Sequence, residues 1–396
     1  MRKKINSKNV LAALFVITIT ICGLLTLALS PKQIFGGLVR GYTDAPEDNN
    51  PIQKVGNSFK TFDARMSEFF ALHDLSIHAY GGVQNVLNRS LIDDADKSSE
   101  VVKLKNGYLT FKENSDTDLS GLADYLTELK SVCDSVGCEL MYVNKISKGT
   151  TDESLNPEFF PYVYQTNYNE IKPELIKSGI PILDFEQVIQ EQNIDKYSLF
   201  FRTDHHWTPQ TGLWVSENIA AQLNKEYGWN LDEALLDISN FKIDIYPKSF
   251  LGSQGKRVGA LYDGVDDFSV VKPDFETSLT VEISDKGESV TSTFEETMLH
   301  KESITPDNLL NKDDTAYDTY MRGNHPLVRI MNHKIPNGKK ALLVLDSYGC
   351  VVAPFLSLEF QQLDCIDIRS YTDSVTDYIT ESKPDVVIYF IENYQK

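Results

Sequence analysis

Two short segments contain the residues best suited to chemistry. In the first, "RTDHHWTP" at 202–209, an acid precedes two histidines. Residues i and i+2 of an extended segment point the same way, so Asp204 and His206 can meet while His205 points elsewhere. A carboxylate on one imidazole nitrogen fixes the tautomer and stabilises the imidazolium that forms when the other nitrogen takes a proton. The segment therefore predicts His206 as a general base that Asp204 orients.

The second segment, "LDSYG" at 345–349, supplies a nucleophile. Ser347 follows an apolar stretch typical of a strand and precedes a predicted helix. Backbone N–H groups at a helix start can stabilise an oxyanion, and the N–H of Tyr348 is a natural candidate. Because triads are defined by geometry and not by chain order, Asp204, His206 and Ser347 form a complete set for acyl transfer.

Other interpretations of the same residues need no catalysis. Asp204 can cap a helix, a histidine can be structural, and Asp-Ser is ordinary turn chemistry. A metal site needs three or four convergent ligands, but adjacent histidines on a strand diverge, and no HxxxH or CxxC motif supplies the rest. We therefore expect neither a metal nor a cofactor.

The elements that must position these residues alternate between strands and helices. Five short apolar runs are typical of strands: 138–145, 180–185, 339–346, 363–369 and 384–391. Helical segments lie between them, which predicts an α/β fold with a mostly parallel sheet flanked by helices. Ligands bind beyond the carboxyl ends of the strands in such a sheet, and Ser347 follows one of these ends.

The pattern changes between 228 and 312. Within this range, "SLTVEISDKGESVTSTFEE" at 278–296 alternates like antiparallel strands around an Asp-Lys-Gly turn. We interpret the range as a β-rich insertion that folds over one edge of the main sheet.

The N-terminal segment, residues 1–30, predicts a membrane anchor. It begins with the basic "MRKKINSK", and the apolar run from Val10 to Leu29 is about long enough to span a bilayer. Positive charge before the span places the N-terminus inside and the rest outside. A cleaved signal peptide, which would make the protein secreted, is the alternative. Residues 31–60 are rich in Pro, Gly and Asn and predict a linker, which leaves 61–396 as the α/β domain.

Composition excludes one class of partner. The chain of 396 residues has a formal net charge of −19, so we expect no nucleic acid to bind. The five cysteines cannot all pair within the chain, because their number is odd. Cys133 with Cys138, and Cys350 with Cys365, are either disulfides or buried free thiols.

The segments "TDHHWTPQTG" and "LLVLDSYGCVVAPFL" resemble the DHHW protein family, which is similar to the SGNH-hydrolase-like alginate O-acetyltransferase proteins. The resemblance extends from about 65 to 392. It includes "YVNK", "RGNHPLVRI", "CIDIRSY" and "FLGSQGKRVG", which we interpret as a loop over the site. In ordinary SGNH hydrolases the serine comes first and an Asp-x-x-His last, so the order here is reversed.

This resemblance implies an SGNH-like fold, a triad of Asp204, His206 and Ser347, and acetyl-ester chemistry on an exported polysaccharide. It also implies a membrane-bound acyltransferase as the acetyl donor. Six further residues are candidates for the oxyanion or substrate site: Arg322, Gly323, Asn324, Asn144, Lys145 and Trp207. A purely structural role is the alternative for each of them, such as a solvated turn for "RGN" or a core position for the tryptophan.

The sequence thus predicts an extracytoplasmic serine acyl-transfer enzyme, an O-acetyltransferase of a cell-envelope or exported polysaccharide. A carbohydrate acetyl esterase with the same triad is one alternative, because transfer to water needs the same groups. A non-catalytic polysaccharide-binding or assembly protein is another.

Overall fold

The structure is a computed structural model of the chain, which divides into two compact units, Met1–Val83 and Gln84–Lys396. The structure describes residues 7–46, 49–70, 72–94, 99–112, 119–149, 152, 154–157, 164–311, 315–335 and 338–391.

The first unit is helical. It contains α1 (Ser7–Leu29), α2 (Pro31–Thr43), α3 (Pro51–Glu68) and most of α4 (His73–Val86). The range 31–60, expected to be a linker, therefore contains α2 and the start of α3. The sequence favours these helices locally, because Asn50 and Gln53 form a capping box at the start of α3. The two helices also approach closely at Gly41, where a Cβ atom would lie 2.7 Å from the Cα of Ser58.

The N-terminal segment expected to span a membrane is helical too. Among the residues whose side chains are described, no single helix is long and apolar enough to cross a bilayer. Val16–Leu29 and Pro31–Thr43 satisfy that length and composition only as a pair, which is bent by 82° at the break. The basic residues 2–4 lie outside the described residues.

The second unit carries the sheets. Its strands are β1 (Leu91–Ile92), β2 (Val101–Lys103), β3 (Leu109–Phe111), β4 (Glu139–Asn144), β5 (Ile182–Asp184), β6 (Phe241–Phe250), β7 (Asp266–Pro273), β8 (Leu279–Ile283), β9 (Glu288–Ser292), β10 (Leu327–Asn332), β11 (Lys340–Leu345), β12 (Gln362–Asp367) and β13 (Val386–Tyr389). Its helices are α5 (Ser120–Val136), α6 (Tyr164–Lys177), α7 (Phe185–Glu191), α8 (Pro209–Tyr227), α9 (Ser253–Val258), α10 (Ala260–Asp263), α11 (Phe294–Met298), α12 (Ala353–Leu356) and α13 (Val375–Ser382).

The main sheet has eight strands in the order β5-β4-β13-β11-β12-β10-β8-β9. The first five strands in this order, β5, β4, β13, β11 and β12, run parallel to one another. The last three, β10, β8 and β9, add an antiparallel edge. Leu342 and Val344 of β11 pack with α5 and α13 on one face, while Leu343 and Leu345 pack with α8 and α12 on the other. Helices thus cover both faces of the central strands, which explains their continuous apolar sequences. The predicted α/β class with a mostly parallel sheet is confirmed.

The range 228–312 is divided between two sheets. β6 and β7 form a separate antiparallel ribbon, whereas β8 and β9 belong to the main sheet. The hairpin predicted around the Asp-Lys-Gly turn is present, and Gly287 takes the positive φ of 61° that its turn requires. The β8–β9 hairpin therefore continues the sheet by pairing with β10, where we expected it to fold over the edge.

The five cysteines are buried free thiols. Of the two alternatives for Cys133 with Cys138 and for Cys350 with Cys365, the structure has the thiol form in both cases.

Candidate active site

The acid–base segment, residues 201–207, is a loop that leads into α8. Phe200 and Trp207 form an isolated antiparallel bridge that closes it, and Thr208 caps the helix by accepting the N–H of Thr211 at 3.2 Å. The nucleophile turn, residues 345–349, leaves β11 at its carboxyl end and enters a 3₁₀ helix, Ser347–Val351. The predicted helix start and strand end are therefore both present.

The two segments bring Asp204, His206 and Ser347 into one hydrogen-bonded chain. His206 Nδ1 lies 2.5 Å from Asp204 Oδ1, and His206 Nε2 lies 2.8 Å from Ser347 Oγ. Asp204 Oδ1 also accepts the backbone N–H of His206 at 2.9 Å. Asp204 is buried, whereas His206 and Ser347 are only partly so. The geometry is that of a nucleophile, a base and the acid that orients it.

The charge on Asp204 is stabilised locally. Burial raises its pKa, but His206 and His205 lower it more, together with hydrogen bonds from His206 and from the backbone N–H of Ser253. The net effect holds the pKa well below its usual range, so the group is a carboxylate at neutral pH. Burial lowers the pKa of His205 to about 3, with the nearby His206 adding to the shift, so His205 is neutral.

Two side chains, those of Lys148 and Asp266, hold the backbone of the acid–base segment in place by hydrogen bonds. The amine of Lys148 is buried and donates to the carbonyl oxygens of Phe201 at 2.7 Å, Arg202 at 3.1 Å and Asp204 at 2.6 Å. Asp266 accepts the N–H groups of Arg202 and Thr203 at 3.0 and 2.8 Å. Burial lowers the pKa of Lys148 to about 7, although Asp204 opposes this. The loop therefore has few free backbone groups.

The segment "FLGSQGKRVG", which we expected to be a loop, instead runs from the end of β6 into α9, and it lies directly against Asp204. The N–H of Ser253 donates to Asp204 Oδ2 at 2.5 Å, and its Oγ lies 2.7 Å from His205 Nδ1. Position 252 must be glycine, because a Cβ atom there would lie 2.1 Å from the Cβ of Asp204. Because glycine has no Cβ atom, the start of α9 can approach Asp204 closely.

Tyr348 links the two segments but does not play the predicted part. Its N–H donates to Asp346 Oδ1 at 3.0 Å, as the cap of the 3₁₀ helix, so it is not directed at an oxyanion. Its O–H donates to the carbonyl oxygen of His205 at 2.7 Å. Lys145 Nζ pairs with Asp346 Oδ2 at 2.5 Å and lies 4.4 Å from the centre of the Tyr348 ring. Lys145 therefore supports the turn that presents Ser347.

The "RGN" residues divide into two groups. Arg322 donates to Glu288 at 2.8 Å, which turns its guanidinium toward the sheet edge. Asn324 Oδ1 accepts from Cys350 Sγ at 3.4 Å and from Arg369 at 2.9 Å, and Cys350 Sγ also lies 3.7 Å from the carbonyl of Gly323. Cys350 lies within the 3₁₀ helix that begins at Ser347. Gly323 and Asn324 therefore flank the nucleophile turn, and Arg322 does not.

Two other candidates are structural. Asn144 is buried and donates to Asp184 Oδ1 at 2.9 Å, which joins the ends of β4 and β5. Trp207 is fully buried and meets Tyr348 and Phe390 edge-on at 5.4 and 5.8 Å. It is a core tryptophan, and its ring is closed to a sugar.

Sequence reasoning missed three residues at this site: Lys148, Ser253 and Tyr317. Lys148 follows "YVNK" by three positions, and a buried lysine has no distinctive pattern. Ser253 lay inside a segment already assigned as a loop over the site. The Tyr317 ring stacks on that of His206, with centroids 4.2 Å apart and planes 20° apart, although it lies over a hundred positions away. Only the tertiary structure could reveal that contact.

The expectation that His205 points away from His206 is wrong, because their ring centroids are 3.8 Å apart. Asp204, His205 and His206 are therefore close enough to share a metal ion, since their ligand atoms lie within 4.8 Å of one another. However, both oxygens of Asp204 and both ring nitrogens of His206 bond to protein groups, and His205 Nδ1 bonds to Ser253. A metal bound by His206 would have to break its bond to Asp204 or its bond to Ser347. The donor set therefore suits proton transfer better than coordination.

Residues 109–236 match the family model described as "SGNH hydrolase-like domain, acetyltransferase AlgX". The fold is SGNH hydrolase-like. A crystal structure of a DHHW family protein from Eubacterium siraeum is similar with a TM-score of 0.59 and 17% identity, covering 78% of this chain and 96% of that one. PatB1 from Bacillus cereus is similar with a TM-score of 0.57 and 17% identity, covering 76% and 94%.

PatB1 with a sulfonyl adduct gives a TM-score of 0.57 at 15% identity, covering 73% and 93% of the two chains. The curated proteins give no match to this chain. The resemblance to DHHW and AlgX-type proteins is confirmed, and at these identities it establishes the fold.

Proposed function

We propose that this protein is an extracytoplasmic serine acyltransferase, an O-acetyltransferase that acts on a polysaccharide. The observation that carries the proposal is the hydrogen-bonded chain from Asp204 through His206 to Ser347. The match to the AlgX acetyltransferase domain supports acetyl transfer as the reaction. One nucleophile hydrogen-bonded to one base supports a sequence of two half-reactions on one serine.

In the first half-reaction, Ser347 Oγ attacks the carbonyl carbon of an acetyl donor and His206 Nε2 accepts the serine proton. The bond between the acyl carbon and the donor oxygen then breaks, and the proton passes from His206 to that oxygen. Asp204 remains a carboxylate and stabilises the imidazolium in between. The products are acetyl-Ser347 and the free donor alcohol.

In the second half-reaction, a hydroxyl of the glycan attacks acetyl-Ser347 and gives its proton to His206. The acyl–serine bond breaks, and Ser347 recovers the proton. Water in place of the glycan would make the protein an esterase, so exclusion of water decides between these outcomes. We propose Asn324 as the donor to the acyl oxygen, because its Oδ1 accepts from Cys350 and Arg369 beside the nucleophile turn and these two bonds do not use its amide N–H groups.

We also propose that the N-terminal segment holds the chain at a membrane with the catalytic unit outside, where a membrane-bound acyltransferase supplies acetyl groups. The basic start and the apolar run of residues 10–29 support this location. The net charge of −19 is compatible with it.

The test uses the full-length protein and Ser347→Ala, each incubated with 4-nitrophenyl acetate, with and without a uronic-acid or a neutral oligosaccharide. Intact mass is expected to show one acetyl adduct on the wild type only, discharged faster by an oligosaccharide that becomes acetylated. Discharge by water alone would identify an esterase. A folded wild type with neither adduct nor turnover would contradict acyl transfer and favour a binding protein.

A further inference from the structure

Two aromatic rings enclose the imidazole of His206. The Tyr317 ring lies 4.2 Å from it at 20°, and the His205 ring lies 3.8 Å from it at 36°. Two rings this close cannot share one face of an imidazole, so they must lie on opposite faces. Tyr348 approaches at a steeper angle, with centroids 5.1 Å apart. The base is therefore confined on both faces as well as by its two hydrogen bonds.

Tyr317 is itself held rigidly. It lies in a 3₁₀ helix, Ala316–Thr319, that starts with a capping box between Thr315 and Asp318. Its ring is 5% exposed, and Phe201 meets it edge-on at 6.5 Å. A ring fixed in this way is a flat support against which the imidazole cannot tilt.

The hydroxyl of Tyr317 does not explain why the residue is there. It is buried and finds no hydrogen-bond partner among the described residues, which is a cost to folding. Burial raises the pKa of Tyr317 well above its usual range, and the nearby Cys350 and Asp204 add to the shift. The ring therefore stays a neutral phenol, whose electron-rich face attracts a cation.

We propose that Tyr317 is a positioning residue that holds His206 between Asp204 and Ser347 and stabilises its protonated form through the face of its ring. This rests on the proposed function, in which His206 cycles through the imidazolium. His205 completes the enclosure as a neutral ring fixed by Ser253, so it adds no repelling charge.

Five of the described residues lie against the imidazole of His206. Asp204 and Ser347 bond to its nitrogens, and His205, Tyr317 and Tyr348 surround its ring. Lys148 does not bond to the imidazole, but it donates to the backbone oxygen of Asp204. Of these, Tyr317 can be replaced without removing a hydrogen bond, which makes it suitable for a clean substitution.

The test compares the full-length wild type with Tyr317→Phe, which keeps the ring, and Tyr317→Leu, which removes it. Tyr317→Met replaces the latter if Tyr317→Leu does not fold. Histidines are labelled with ¹³C, the sequence has seven of them, and the His206 signal is assigned by its loss in His206→Gln. The NMR titration of this signal is followed with pH, and kcat and KM are measured in parallel.

We expect the His206 signal of Tyr317→Phe to have the same titration midpoint as in the wild type, and kcat to stay within about twofold, because the hydroxyl has no hydrogen-bond partner among the described residues. In Tyr317→Leu the titration midpoint is expected to fall by roughly half to one pH unit, and kcat to fall roughly three- to tenfold at unchanged KM. An unchanged midpoint in folded Tyr317→Leu, or an equal shift in Tyr317→Phe, would overturn the proposal. Since the titration needs no turnover, it is decided separately from the acyltransferase activity.

Discussion

The acid–base segment and the nucleophile turn are held by different means, although both are braced from one loop. Lys145 and Lys148, three positions apart after β4, are both buried. Lys145 pairs with a carboxylate, that of Asp346, in the nucleophile turn. Lys148 instead meets three backbone carbonyls of the acid–base segment. The loop after β4 thus connects the two halves of the site, the acid–base segment and the nucleophile turn.

The difference follows from where each half lies in the fold. Ser347 continues directly from β11, whose parallel neighbours on both sides fix its backbone, so a single cap from Asp346 suffices. Residues 201–207 belong to a loop with one isolated bridge, so their carbonyl and N–H groups need side-chain partners. The acid–base segment should therefore be the more sensitive half.

The largest effect is expected from the two carboxylates, one in each half. Asp204→Asn removes the charge that stabilises the imidazolium and should lower kcat by about 10⁴-fold, as in other triads. Asp346→Asn is the matched control, because an amide oxygen can still cap the N–H of Tyr348. We expect its kcat to stay within about tenfold of the wild type, with a cost mainly in stability. Equal losses of kcat in the two variants would show that the halves do not differ in this way.

The sequence was sufficient to predict those site residues that lie in a short local pattern. Asp204 and His206 are two positions apart, and Ser347 follows an apolar strand, so their types and local geometry could be predicted. The contact between Ser347 and His206 joins segments far apart in the chain and was inferred from chemistry alone. Its presence at 2.8 Å follows from how β11 and α8 pack.

The remainder of the site depends on contacts that no local pattern reveals. The N–H of Tyr348 was a natural oxyanion donor from its position, but Asp346 one residue before the nucleophile accepts it. Trp207 was as compatible with a sugar platform as with the core until its burial was known. In the fold, the β8–β9 hairpin was visible in the alternation, but its pairing with β10 was set by the tertiary structure.

The next effect in size is expected from Lys148→Met. The substitution removes the Lys148 donor from three carbonyl groups of the acid–base segment. The Arg202 carbonyl still accepts the N–H of Leu109 at 2.9 Å, whereas the carbonyls of Phe201 and Asp204 lose their side-chain donor, which is costly for buried polar groups. We expect the free energy of unfolding to fall by about 2–3 kcal/mol and kcat by roughly 10- to 100-fold. Urea unfolding and steady-state kinetics measure the two. A stable Lys148→Met with normal kcat would mean that the loop needs no brace.

A smaller effect is expected from Lys145→Met. It removes the ion-pair partner of the Asp346 carboxylate, but 17% of the Asp346 side chain is exposed to solvent. We expect a loss of about 2 kcal/mol in unfolding free energy and less than tenfold in kcat. Lys145→Met with Asp346→Asn should recover part of the stability, because no unpaired charge then remains. A double variant less stable than both single variants would contradict this pairing.

The effect of pH, which is smallest over a single pH unit, separates the two lysines. The folded state releases the Lys148 proton near pH 7, whereas in the unfolded chain the amine keeps it until about pH 10.5. Between these values the unfolded state binds more protons, so this residue makes the free energy of unfolding rise with pH, by about 1 kcal/mol per pH unit. Below about pH 6 both states are protonated and the contribution is constant.

We therefore expect the wild type to gain stability relative to Lys148→Met between pH 7 and pH 9 in urea unfolding. Lys145→Met, which keeps Lys148, should parallel the wild type over the same range. Parallel curves for the wild type and Lys148→Met would show that the amine keeps its proton in the fold, and that its three carbonyl bonds offset its burial.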